Sequence, residues 1–163
     1  MRSKVIAMEI FEFRQRLQNI LINELKMWRH RLCNQKMLVF DLGCFAWHGY
    51  FELSFLTTDE PEMEMFSRDV DFMAQWRLYD FTSTYLSKWP QATDLAIEMQ
   101  KSYESASDPS AKAEALFLAC AAVVKSKEVQ EVLATYSLAG DFEVRVLNPD
   151  DTSNKNYCDL ITN

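Results

Sequence analysis

The chain has 163 residues, 48% hydrophobic and 13% aromatic, with three glycines and a formal charge of −7; that is enough apolar material for one core and too little glycine for long flexible linkers. Its longest apolar runs, Val5 to Met8 and Leu116 to Val124, fall far short of the roughly 20 residues that cross a bilayer. Charge is divided unevenly: residues 1–40 carry eight Lys/Arg against three Asp/Glu and residues 41–163 carry nine against twenty-one, net charges of +5 and −12, so the larger part repels nucleic-acid phosphate and suits basic partners or simple solubility.

The opening stretch has the basic start of a secretory signal, but Glu9, Glu12, Arg14 and Arg16 interrupt its apolar region after four residues, which argues against export. Cys33, Cys44, Cys120 and Cys158 form neither a C-x-x-C pair nor a small-scaffold framework, and are read as reduced thiols of a cytoplasmic protein. Ile10, Phe13, Leu17, Leu21, Leu25, Trp28 and Leu32 recur at steps of three and four, predicting an amphipathic helix from Met8 to Cys33, roughly 39 Å long. Its stripe serves a core or, alternatively, a dimer seam.

Two strands are predicted next, Met37 to Leu42 and Tyr50 to Leu56, joined as an antiparallel hairpin by a loop with Gly43 and Gly49 at its ends. The following stretch is crowded with Asp59, Glu60, Glu62, Glu64, Asp69 and Asp71 around Pro61, as in a loop or the first turn of a helix. Between residues 70 and 89 periodicity fits helix and strand equally and is left open. Beyond Pro90 a helix is predicted to about Tyr103, a second from the Asp108-Pro109 cap to about Lys125, and a third through Tyr136 that Gly140 terminates. Phe142 to Val146 reads as a strand, and residues from about 149 as a loop or tail. The expectation is a single α+β domain over residues 1–163, with a small antiparallel sheet packed against a long N-terminal helix and a C-terminal helical group.

Chemistry is thinly signalled. With two histidines, His30 and His48, a nucleophile–base pair has one candidate, Cys44 activated by His48, which would make the protein a hydrolase or transferase. A buried thiol beside a packing histidine is the commoner arrangement. The same two residues supply only half the ligands of a structural zinc site. Gly43, Gly49 and Gly140 match neither phosphate-loop spacing. The reading is therefore of no catalytic residues, metal or cofactor, and a third possibility is a non-catalytic scaffold or dimerisation domain.

The segments Leu38 to Leu42, Trp47 to Phe55 and Gln75 to Phe81 resemble the strand and tryptophan motifs of small bacterial proteins associated with toxin-immunity loci, over about residues 36–82. The resemblance implies an immunity-type protein that neutralises a cognate toxin by binding it. The acidic surface, for its part, suits a basic toxin such as a nuclease, whose active site it would occlude, and no binding to nucleic acid or membrane is expected. Asp59, Glu60, Glu62, Glu64, Asp69 and Asp71 are the expected contact acids. Trp76, Arg77 and Tyr79 are added as residue types that dominate interface energetics.

Overall fold

The computed structural model describes residues 8–60 and 68–162. Helix α1 spans Ile10–Trp28, 19 residues or about 28 Å. Phe13, Leu17, Leu21 and Leu25, each fully buried, form its inner stripe at steps of four. The helix stops short of Cys33: Arg29 N–H closes on the Leu25 carbonyl, and residues 29–35 make turns. The Tyr136 hydroxyl donates to the same Leu25 carbonyl at 2.5 Å, using its second lone pair and tying the end of α1 to a residue far along the chain. Leu32 therefore reaches the core from a turn rather than from the helix.

Strands β1 (Lys36–Phe45) and β2 (Tyr50–Thr57) pair antiparallel across a tight turn at residues 46–49, confirming the hairpin with longer strands than predicted. Gly43 lies inside β1. Gly49 makes the turn, with φ +70, a conformation that favours glycine; an added Cβ would also stand 2.4 Å from Gln100 Oε1 and displace that side chain. Helices α2 (Thr93–Glu104), α3 (Pro109–Val124) and α4 (Lys127–Leu133) follow. The predicted Asp108 cap is present, its side chain accepting from Ala111 N–H at 3.1 Å.

The third helix ends at Leu133 instead of running on to Gly140, because Ser137–Arg145 is strand β3. The sheet order is β2-β1-β3. The fold is α+β, but β3 lies parallel to β1, so the sheet is mixed where an antiparallel one was expected. Between Met37↔Leu138 and Val39↔Glu143 one residue of β1 faces four of β3, a large bulge that absorbs Gly140 and Asp141.

The expected C-terminal tail is also corrected. After a loop, Tyr157–Leu160 forms a short 3-10 helix. Asn156 Oδ1 accepts from Val146 N–H and Cys158 N–H, and Tyr157, 1% exposed, packs on Phe117 with ring centres 5.2 Å apart. No described helix is long and apolar enough to cross a membrane.

Strand alternation gives the sheet two unlike faces. Phe40, Leu42 and Cys44 of β1 with Phe51, Leu53 and Phe55 of β2 enter the main core with the four α-helices. The intervening Asp41, Glu52 and Ser54 are also buried, on the opposite face. Their cover is the irregular segment 68–89.

Candidate functional site

Segment 68–89 contains a 3-10 helix, Val70–Gln75, one antiparallel bridge residue, Leu78, and otherwise turns, bends and irregular chain, so neither alternative left open by periodicity is realised along its length. It is fixed to β2 through backbone bonds: Phe55 N–H to the Leu78 carbonyl at 3.1 Å and Phe81 N–H to the Leu53 carbonyl at 3.0 Å. Those bonds also cover an edge that would otherwise be open to pairing. Side chains do the rest, in three groups.

The first group surrounds Arg145. Its Nε donates to Asp41 Oδ2 at 3.1 Å, its Nη1 donates to the Arg68 carbonyl, and the guanidinium lies 5.1 Å from the centre of the Trp76 ring. Asp41 and Arg145 are register partners on neighbouring strands, so a short side chain and a long one meet without reaching. Both are about 5% exposed or less. Burial, only partly offset by Arg145, raises the Asp41 carboxyl to about 6. Trp76 packs with Leu38, Val39 and Leu56 in a second small core.

The second group lies near the start of β1 and the end of β2. Arg77 reaches Asp59 at 2.8 Å, Gln35 at 3.1 Å and Thr57 at 3.3 Å, while its backbone N–H donates to Glu60 at 3.2 Å. The Thr57 hydroxyl donates to Asp59 at 2.6 Å. That bond, with Arg77, holds the Asp59 carboxyl below the usual range.

The third group was missed by sequence reading. The Lys88 ammonium donates to Asp80 Oδ2 at 2.6 Å and to Glu52 Oε1 at 2.8 Å, and stands 5.2 Å from the centre of the Tyr50 ring. The Tyr79 hydroxyl donates to the other Glu52 oxygen at 2.6 Å. Burial and this acceptor raise the Tyr79 hydroxyl far above its ordinary value, keeping it a proton donor. The available signals were charged residues inside strands: Asp41 within Met37 to Leu42, Glu52 between Phe51 and Leu53, and Arg145 between Val144 and Val146.

The predicted contact residues divide accordingly. Trp76 is buried and Tyr79 half-buried, while Arg77 is exposed but engaged with Asp59 and Glu60. Asp69 accepts from Asp71 N–H at the start of the 3-10 helix, and Asp71 is exposed. Glu62 and Glu64 lie outside the described residues. Missing from the prediction were Tyr85 and Leu86, 101% and 90% exposed at the tip of the loop, between stems held by Thr84–Ser87 hydrogen bonds and by Lys88.

Cys44 and His48 are not brought to a common site. The Cys44 thiol is buried on the helix side, 3.6 Å from Met99 Sδ. The His48 ring is exposed and stacks on Tyr50 at 5.9 Å. Burial also raises the Cys120 thiol well above its ordinary value and the Cys158 thiol to about 12, which disfavours thiolates there. Among the described residues, no group of three His, Cys, Asp or Glu is placed to hold a metal ion. No family model, curated protein or solved structure matches this chain.

Proposed function

We propose that this chain is a cytoplasmic, bacterial immunity-type protein that neutralises a basic protein toxin by covering its active site, with residues 59–89 as the docking surface. The observation that carries the reading is the tip of that segment. Tyr85 and Leu86 stand almost wholly in water at the tip of the loop, so a large apolar area is presented to a partner. Asp59, Asp69 and Asp71 lie on the same segment, where they favour a basic partner electrostatically. The motif resemblance over residues 36–82 points to the same class.

The test is binding to the product of the reading frame beside this gene, with association rates measured across a salt series. The rate is expected to fall as salt rises, and to fall further in Asp71→Lys and in Glu62→Lys/Glu64→Lys. Tyr85→Ala is expected to speed dissociation by about tenfold or more, as loss of a central aromatic anchor does. Absence of binding, or a rate indifferent to salt and to charge reversal, contradicts the proposal.

A further inference from the structure

The Lys88 group is built like a receptor for a cation that already holds one. Its floor is Glu52 and Asp80, whose side chains are 6% and 7% exposed; its wall is the Tyr50 ring. Tyr79 orients Glu52 from behind. Two carboxylates and an aromatic face around one ammonium are the elements by which proteins recognise cationic side chains. Two carboxylates against one ammonium also leave a negative charge unmatched, and Asp80 Oδ1 is buried without a hydrogen-bond partner. Beside the group lies a pocket of about 110 Å³ lined by Gly49, Tyr50, Ser87, Lys88, Trp89 and Thr93, among others.

The loop that delivers Lys88 is strained. Asp80 and Trp89, at its two ends, have φ of +46 and +21, a conformation side-chain-bearing residues adopt at a cost. Thr82 Oγ1 and Trp89 Nε1 are buried without partners. Opening the loop releases the strain at its ends and returns Thr82 Oγ1 to water, which offsets part of what is lost when Lys88 leaves its carboxylates.

We propose that Glu52, Asp80 and Tyr50 form a receptor for a lysine or arginine side chain of a binding partner, and that Lys88 is its resident occupant, displaced together with residues 82–88 when the partner's cation enters. The source of the cation rests on the binding role proposed above. The receptor does not, and can be tested without any partner.

The probes are N-acetyl-lysine amide and N-acetyl-arginine amide, with N-acetyl-glutamine amide as the uncharged control, added to the full chain. Removing the tethered competitor in Lys88→Met should tighten binding of the two cationic probes by about tenfold or more, since a short tether holds its group at an effective concentration of about millimolar or above. The glutamine probe should not bind. Adding Glu52→Gln/Asp80→Asn to Lys88→Met should abolish the preference for cations. In the unsubstituted protein, saturating arginine probe should raise the acylation rate of Lys88, read peptide by peptide by mass spectrometry. Equal affinity in Lys88→Met and the parent, a cation preference that survives loss of both carboxylates, or Lys88 acylation unchanged by the probe would each overturn the proposal. If Lys88→Met does not fold, the acylation measurement decides alone. Failure to bind a toxin, with these results positive, would remove the partner assignment and leave the receptor standing.

Discussion

The two faces of the central strands are covered by different means. On one, Phe40, Leu42 and Cys44 meet Phe13, Leu17 and the other apolar residues of four helices, so burial alone holds the layers together. On the other, Asp41, Glu52 and Ser54 are buried beneath an irregular segment and must be satisfied by Arg145, Lys88, Tyr79 and the Asp80 backbone. Desolvated charges return little net stability even when well paired. The buried side-chain polar atoms without partners, among the described residues, are Asp80 Oδ1, Thr82 Oγ1, Trp89 Nε1 and Arg145 Nη2: two in the cover, one in the residue that clamps it, and one on Trp89, whose ring lies in the helix-side core. Local rules are therefore broken mainly beneath the irregular cover and its clamp, and kept for the most part on the helix side.

The largest effect should come from the helix side. Phe40→Ala, at a fully buried position, is expected to lower the unfolding free energy by about 3–5 kcal/mol in urea titrations. Next is the clamp: Arg145→Met leaves Asp41 buried and unpaired, at a cost of about 3 kcal/mol, whereas Asp41→Leu/Arg145→Met should recover most of the loss. A double variant no more stable than Arg145→Met would show that the pair is not coupled as its geometry implies.

Acidity supplies a smaller and more specific test. Burial raises the Asp41 carboxyl from 3.8 to about 6 in the folded protein, with Arg145 opposing the shift and Glu52 adding to it. The folded state therefore holds this proton more tightly than the unfolded state. Its contribution to stability is fully present below pH 3.8 and is lost as pH rises through about 6. Relative to the parent protein, Asp41→Asn should gain about 2 to 3 kcal/mol between pH 4 and pH 7, as read from paired denaturation curves at each pH. A constant difference would place Asp41 at an ordinary carboxylate value. Smallest of all, Tyr85→Ser and Leu86→Ser should change stability by less than about 0.5 kcal/mol, because their exposure in the free protein leaves little to lose.

The same contrast decides what the sequence made legible. Phe13, Leu17, Leu21 and Leu25 announce α1 because burial on one side imposes a period, and Phe51, Leu53 and Phe55 announce β2 for the same reason. Segment 68–89 has no readable period, because its fit depends on partners distant in the chain: Arg145 for Arg68 and Trp76, and Glu52 for Tyr79 and Lys88. Gly140 looks like a helix stop, yet it sits in a bulge of β3 that only pairing with β1 defines. The direction of β3 is hidden likewise, since Phe142, Val144 and Val146 alternate whether their neighbour runs parallel or antiparallel. For the candidate site, the acidic run and Arg77 were visible by composition. The exposed Tyr85 and Leu86 were not, because nothing in Thr84-Tyr85-Leu86-Ser87 distinguishes a tip from a buried turn.

Native-state amide hydrogen exchange in low denaturant measures the difference between the two covers directly. The amides of Phe81 and Ser83, bonded to the Leu53 and Asp80 carbonyls, should exchange through a local opening several kcal/mol below global unfolding, while those of β1 at Phe40 and Leu42 should exchange only when the whole protein unfolds. Equal opening free energies at the two sets of amides would contradict the account, showing the segment to be as much a part of the cooperative core as the helices opposite it.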